Sequence, residues 1–537
     1  MTTTTRYHAA LAGVTAAAVA LGSAELVAVL TGPRSAPLVA VGGLVVDTVP
    51  EPLKQVGIAL FGTYDKIALL IGTALLLAGF AALLGVLSRR RLAYGLTGVA
   101  AFTALGVGAA LTRAGADGAD ALPALVGGVL GAVVLWAFIA GPLELDPWPW
   151  SPPVPPAEPP SPAAGSVVAA GRGVAAEPAT PDLESRRRFL AATGLLLGAA
   201  GVAGLGGRWL AGRQGVSAAR SAVTLPPPVS PAPAVPAGAD LAVPQLASYV
   251  TPNTGFYRID TALVVPQVDP ATWRLRIHGR VRNPITLTFD DLLARPMVER
   301  YVTLACVSNE VGGDLVGNAR WLGVPLKELL DEADPEEGAD QVVGRSVDGW
   351  TCGTPTAVLR DGRDALLAVG MNGEPLPVEH GFPARVVVPG LYGYVSACKW
   401  VTELELTSFA DFDAYWVPRG WSAQGPIKTQ SRIDTPRPRN RLTAGPVTVA
   451  GVAWAQHRGI RRVEVRVDEG PWREADLAAT VSVDTWVQWS WRWDATPGEH
   501  KLEVRATDST GETQTGRRSA LAPDGATGWH AVRVTVR

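Results

Sequence analysis

Tyr301-Val-Thr-Leu-Ala-Cys-Val-Ser-Asn-Glu-Val-Gly-Gly313 is a short β-forming run that carries a cysteine into a polar, glycine-bearing loop. Its β-branched residues predict a strand over Tyr301–Cys306 and a loop over Val307–Gly313. A lone cysteine there says little by itself, because a free cysteine is most often a small buried apolar side chain. The flanks show what it belongs to. Trp273-Arg-Leu-Arg-Ile-His-Gly279 alternates like a half-buried strand and stops at a turn. Asn283–Leu293 reads as a strand followed by a helix, with Asp290 as its cap. Pro325–Asp331 reads as a helix, and Ala384–Pro389 and Trp400–Leu406 read as strands around a Gly/Tyr loop. The region from Leu246 to about residue 435 is therefore α+β.

Beyond it, residues 436–537 read as all β. Val463, Val465 and Val467 alternate with charged residues, and Trp489, Trp491 and Trp493 alternate with Ser490 and Arg492. Leu502, Val504 and Ala506 continue the pattern, with Asp468-Glu-Gly470 and Thr496-Pro-Gly498 as turns. About 100 residues of this kind predict an immunoglobulin-like sandwich. The tryptophan stripe reads as core or interface before it reads as a binding site.

Upstream, the texture is that of a membrane protein. The chain has 537 residues, of which 47% are hydrophobic and 18% charged, and its mean hydropathy is +0.18. Ala9–Leu30, Ile67–Leu87, Leu92–Leu111, Leu122–Ala140 and Phe189–Gly207 are each long enough to cross a hydrocarbon core of about 30 Å. Pro37–Val46 is too short to span and is expected in a loop. Ala9–Leu30 lacks a clear cleavage site and is followed by further spans, so it is not expected to be a cleaved signal. Arg89–Arg91 and Arg186–Arg188 place the N-terminus on the cytoplasmic side and everything after about Arg208 outside. Glu25 is a lone carboxylate within the first span, either functional or hydrogen-bonded inside the bundle. The predicted organisation is a four-span bundle over 1–141, a Pro-rich cytoplasmic linker over 142–184, and a fifth span over 185–212. A Pro/Ala-rich linker over 213–245 then leads to an α+β domain over 246–435 and the sandwich.

Several functions are excluded or weakened. The net charge of -2 leaves no basic excess for a phosphate backbone, so no nucleic-acid partner is expected. No P-loop, His-Glu-x-x-His, Gly-x-Ser-x-Gly or Cys-x-x-Cys is present. The six histidines leave only His8 near a span, so the helices cannot hold a membrane haem alone.

Two resemblances then become specific. Ser185-Arg-Arg-Arg-Phe-Leu190 resembles the twin-arginine export signal, the simpler reading being a positive-inside anchor. That route moves domains already folded around a cofactor. From Leu246 to Arg537 the chain resembles the sulfite oxidase family of molybdopterin enzymes. The motifs are Thr251-Pro-Asn-Thr-Gly-Phe-Tyr-Arg258, Thr303-Leu-Ala-Cys-Val-Ser-Asn309, Met371-Asn-Gly-Glu-Pro-Leu-Pro377, His380-Gly-Phe-Pro-Ala-Arg-Val-Val-Val-Pro-Gly390 and Lys399-Trp400. The resemblance implies a molybdenum–molybdopterin cofactor with Cys306 as the thiolate ligand and the catalytic centre. It places Phe256, Tyr257, Arg258, His380, Arg385, Ser396 and Lys399 around the pterin and its phosphate. Arg and Lys offer donors to phosphate, His380 a hydrogen bond, and Gly390–Ser396 a close backbone approach. It further implies oxygen-atom transfer on a small substrate, a separate electron partner (a cytochrome or a quinone system), and a homodimer through the sandwich.

The departures bear on substrate. Sulfite-oxidising members follow Cys-Ala-Gly-Asn with two arginines, where this chain has Glu310 and Val311 after Asn309. They place a tyrosine ahead of Glu-Met-Asn-Gly, where this chain has Val369 and Gly370. The family's Asn-His after the arginine is Ile259-Asp260. An anionic substrate loses those donors, and Arg320, Arg345 and Arg360 are the candidates to replace them. A reductase of S-oxides or N-oxides and a non-enzymatic surface module are the rival readings. Cys352 and Cys398 read either as a disulfide or as two buried thiols.

Overall fold

The computed structural model describes residues 3–49, 60, 65–113, 116–143, 183–213 and 215–537. Most of the Pro-rich linker expected over 142–184 lies outside these residues. The chain forms two compact units, Met1–Gln214 and Gly215–Arg537.

The first unit holds five helices long and apolar enough to cross a membrane: Arg6–Thr31, Ile67–Ser88, Leu92–Leu111, Gly118–Ile139 and Arg186–Leu210. Twenty residues at about 1.5 Å rise cover about 30 Å, and apolar side chains lie all round rather than in a stripe. Small residues let the helices approach closely. A side chain on Gly13 would meet the Ala81 carbonyl, and one on Gly85 would meet that of Ala9. These contacts run the first and second of these helices antiparallel. Gly127 and Gly131 lie against Ala24 and Ala20 of the first helix, again antiparallel. Gly22 meets Ala200 and Gly207 meets Glu25, so the last helix runs parallel to the first. The Phe189 ring contacts His8 at 5.3 Å and Phe138 at 4.9 Å. The N-terminus, Arg89–Arg91 and Arg186–Arg188 therefore share one end of the bundle. Glu25 is not alone: Arg208 reaches it at 3.0 Å.

Pro37–Val46, expected in a loop, belongs to a helix, Pro37–Thr48. Pro at the first turn starts it, and its small residues bury against the helix Leu92–Leu111, where Pro37 lies beside Gly106. A segment too short to span still satisfies its backbone best as a helix.

The second unit contains one mixed sheet, one antiparallel sheet and a sandwich. One sheet runs, in spatial order, Ile285–Thr288, Arg274–Gly279, Val401–Thr407, Gln341–Ser346 and Thr351–Pro355. The other has Val298–Ala305 at its edge, then Val316–Pro325 and Leu366–Met371, which pairs with both Glu374–Pro375 and Arg385–Val387. Helix Phe289–Leu293 is capped by Thr288, whose hydroxyl accepts from the Asp291 N–H while the Asp291 carboxylate returns to Thr288; Asp290 is not the cap. In the sandwich, four strands face five. Val463, Val465, Leu502, Val504, Trp489 and Trp493 form its buried core, so two of the three stripe tryptophans are core residues.

The Pro/Ala-rich stretch before residue 245 lies on this unit. Its Val229 N–H donates to the Met297 carbonyl, Ser230 accepts from the Glu299 N–H, and Ala239 is fully buried. Proline lacks an N–H, so such a segment suits the edge of a sheet without extending it.

Candidate functional site

Cys306 follows directly on the edge strand Val298–Ala305. Its N–H donates to the Leu315 carbonyl at 2.9 Å, and its Sγ accepts from the Ser308 N–H at 3.4 Å. The thiol is buried, and burial pushes its pKa up; the Ser308 donors and the Lys399 charge oppose this.

Two of the sequence motifs meet. Asn372 donates to the Thr251 carbonyl at 2.9 Å and to Asn253 Oδ1 at 2.8 Å, so Met371-Asn-Gly-Glu374 holds Thr251-Pro-Asn253 in place. The chain then delivers Phe256, Tyr257 and Arg258. The Phe256 ring stacks on Tyr257 at 5.2 Å and meets His380 and Trp321 edge-on. The Tyr257 phenol is driven upward by burial and feels both Cys306 and Arg385. His380 Nε2 lies 3.2 Å from the Asn253 carbonyl, which assigns that nitrogen as the donor.

Arg385 is buried. It donates to the His380 carbonyl at 3.1 Å and lies 5.1 Å over the Trp321 ring. Its Nε has no hydrogen-bond partner, and burial lowers its pKa to about 10. Lys399 donates to Asp260 at 2.8 Å and to the Glu379 carbonyl at 3.3 Å. Burial lowers it to about 8, against the pull of Asp260. Arg258 reaches the same Asp260 oxygen at 2.9 Å. Asp260 thus gathers two of the predicted cations, a role that the motifs did not disclose. Ser396 does not offer its hydroxyl outward: it donates to the Tyr392 carbonyl at 2.9 Å. At Gly390 the loop turns with φ +83°, and a Cβ would lie 2.9 Å from the Arg363 guanidinium, so glycine is required.

The proposed substitutes for the arginine pair are engaged elsewhere. Arg320 pairs with Glu299 at 3.2 Å, Arg345 with Glu405, and Arg360 with Asp331 at 2.9 Å. Val369, at the place of the family tyrosine, is fully buried. Tyr392, which sequence reasoning passed over, is buried within electrostatic reach of Cys306. Cys352 and Cys398 are free thiols, buried side by side against Gly344.

The cluster suits an anionic, sulfur-bearing cofactor. A buried guanidinium with an unpartnered Nε lies beside His380, and a buried ammonium lies within electrostatic reach of the buried Cys306 thiol. Such groups are costly to bury unless a ligand completes them.

The buried imidazoles carry a pH prediction. Burial first, then nearby cations, holds His380 and His530 at about 4, below the ordinary 6.5. Between those values the unfolded chain binds protons that the folded chain does not. Stability is therefore full above about pH 6.5 and lost as pH falls toward 4, by up to about 1.4 kcal/mol per pH unit for each histidine. Burial raises the Asp484 carboxyl and offsets part of this. Melting followed at pH 7 and pH 5 is expected to show a lower transition at pH 5; equal transitions would contradict it.

Known proteins resemble this chain in both the α+β region and the sandwich. Residues 262–416 match the model of the oxidoreductase molybdopterin binding domain, and residues 430–504 match a bacterial Ig domain. Mitochondrial sulfite oxidase of Mus musculus is 31% identical over 54% of this chain and 62% of its own length. Sulfite oxidase of Gallus gallus is 30% identical over 50% of this chain and 68% of its own. An uncharacterized oxidoreductase of Bacillus subtilis, YuiH, is 34% identical over 33% of this chain and 87% of its own. The chain spans less than two thirds of the length of the mammalian relatives it matches. An α+β unit with a buried thiol at the end of an edge strand, a sandwich that follows it in the chain and these similarities lead to one conclusion: the chain belongs to the sulfite oxidase family of molybdopterin-dependent oxidoreductases.

Proposed function

We propose that this chain is a membrane-anchored oxidoreductase whose Gly215–Arg537 unit works on the extracytoplasmic side, with Cys306 as the metal ligand. The observation that carries the reading is the buried Cys306 thiol within electrostatic reach of Lys399 and Tyr257, the latter in turn beside the buried Arg385. Molybdenum, when bound, supplies a two-electron couple and a preference for soft sulfur donors. Cys306 gives up its proton on binding, and Lys399 favours the anion it becomes. Arg385, Arg258, Lys399 and His380 would hold the phosphate and pterin by charge-assisted hydrogen bonds. Tyr257 and Phe256 close the site against water.

In the reaction, a small substrate gains one oxygen atom derived from water and releases two electrons and two protons. The electrons pass to a separate cytochrome or quinone system. Mixing oxidised protein with sulfite in a stopped-flow instrument is expected to reduce the metal; inertness would remove sulfite as substrate. The carboxylates on Arg320, Arg345 and Arg360 favour a second reading, reduction of a neutral S-oxide or N-oxide. Re-oxidation of the reduced metal by methyl sulfoxide or trimethylamine N-oxide tests it.

The shared end of Arg89–Arg91, Arg186–Arg188 and the N-terminus supports a cytoplasmic placement of that end, because basic residues resist translocation. An odd number of spans then puts the second unit outside. Changing Arg186 and Arg187 together to Lys is expected to leave that unit protected from external protease. Digestion at the wild-type rate would show that the pair serves only as an anchor.

A further inference from the structure

The strand that leads into Cys306, Val298–Ala305, is an edge strand, so one row of its backbone groups faces away from its sheet. At its N-terminal end that row is covered by Ser230. Near Cys306 it is covered by the C-terminal sandwich, whose hydrogen bonds converge on Thr303. The Thr303 N–H donates to the Asp484 carbonyl at 2.9 Å. The Thr303 carbonyl accepts from Gln456 Nε2 at 2.8 Å. The Thr303 hydroxyl accepts from the Trp486 N–H at 2.8 Å and donates to Asn318 Oδ1 at 3.1 Å. The residue is fully buried, and all of its polar groups are engaged.

These partners are rooted in the sandwich. Asp484 and Trp486 immediately precede the strand Val487–Ala495, and Gln456 follows the strand Gly445–Trp454. Asn318 extends the network toward the other wall of the site. Its side chain donates to the Tyr249 carbonyl at 2.9 Å, and its backbone exchanges hydrogen bonds with Thr251. Thr251 opens the segment that carries Phe256, Tyr257 and Arg258. One buried network therefore reaches both the cysteine strand and the aromatic segment, and its far end is the sandwich.

We propose that Thr303 is a positioning residue for Cys306, and that the sandwich sets the place of the ligand sulfur through it. This rests on the reading of Cys306 as the metal ligand. The physical reason is reach: Thr303 lies on the strand Val298–Ala305, which Cys306 directly follows three residues later, so a shift in its pairing passes directly to the thiol. In a buried setting each lost partner leaves a polar group unsatisfied, so the strand has no second position of similar energy.

The test uses the full-length chain with Thr303→Val, Thr303→Ser and Gln456→Ala. Valine keeps the shape and removes the hydroxyl; serine restores it. In chain purified from a host unable to make the cofactor, deuterium uptake by the peptide covering Leu304–Cys306 is the first readout. Thr303→Val and Gln456→Ala are expected to speed it about tenfold, as loss of one buried hydrogen bond implies. Uptake across Leu502–Ala506 should stay unchanged, and Thr303→Ser should behave as the wild type. In loaded chain, the electron paramagnetic resonance signal of the half-reduced metal is expected to shift in the valine and alanine variants and not in the serine variant.

Wild-type exchange and an unshifted signal in both Thr303→Val and Gln456→Ala would overturn the proposal. Where Thr303→Val fails to fold, the same two readouts on Gln456→Ala decide it. A wild-type chain that never carries molybdenum would sink the ligand reading instead. The exchange measurement on cofactor-free chain would still decide whether the sandwich holds the strand.

Discussion

Cys306→Ser is expected to leave the fold in place and to lower turnover by more than about 100-fold, since changes one shell further out already cost about 10–100-fold. Serine is nearly the shape of cysteine, so the buried site accepts it without a cavity. The chemistry does not survive the exchange. A thiol loses its proton to a soft metal readily, whereas an alcohol holds its proton far more tightly and offers a hard oxygen. The setting magnifies the difference, because burial already opposes ionisation at this position and only the Ser308 donors and Lys399 act against it. Elemental analysis of purified protein and steady-state turnover check the outcome. Full turnover in the serine variant would remove Cys306 from the metal.

Arg385→Met is expected to separate stability from loading. The guanidinium is buried, no carboxylate pairs with it among the described residues, and burial lowers its pKa to about 10. A base whose folded pKa lies below its ordinary value destabilises the folded state at every pH below that value. Replacing a buried charge by an apolar side chain of similar volume is often neutral or stabilising by about 1–4 kcal/mol. Loss of the Trp321 stacking and of the His380 hydrogen bond takes back part of that gain. The cofactor-free variant should therefore melt at or slightly above the wild-type temperature, by roughly 1–2 kcal/mol of stability. It should nevertheless retain at least about tenfold less molybdenum, because the proposed charge-assisted donor to the anionic cofactor is gone. A variant that loses more than about 2 kcal/mol of stability when empty would show that the guanidinium is already satisfied by the protein.

Local chemistry was readable wherever neighbours in sequence decide it. The Trp273–Gly279 strand, the tryptophan alternation over Trp489–Trp493 and the apolar runs all announce themselves by period and length. Boundaries were less secure where two short-range signals compete. Thr288 and Asp290 both make good caps, and only the geometry of the turn selects Thr288. Pro37–Thr48 has the composition of a short buried helix, but length alone cannot separate that from a packed loop.

At the site, motif order was enough to gather Arg258, His380, Arg385 and Lys399, because the family resemblance encodes a shared three-dimensional plan. It did not show that Asp260 bridges two of these cations, nor that Tyr392 is buried within electrostatic reach of Cys306. Nor did it show that Ser396 spends its hydroxyl on its own loop.

Residue pattern alone thus determined the classes of element, the five long apolar helices and the presence of a cysteine at the end of a strand, since each depends on a few adjacent side chains. Only the folded chain decided which charges stay free for a ligand and what holds the thiol still. Those outcomes depend on pairs such as Thr303 with Trp486 or Lys399 with Asp260, more than one hundred positions apart. Burial turns such distant pairs into strong constraints, because in a dry interior a polar group must find its partner within the protein.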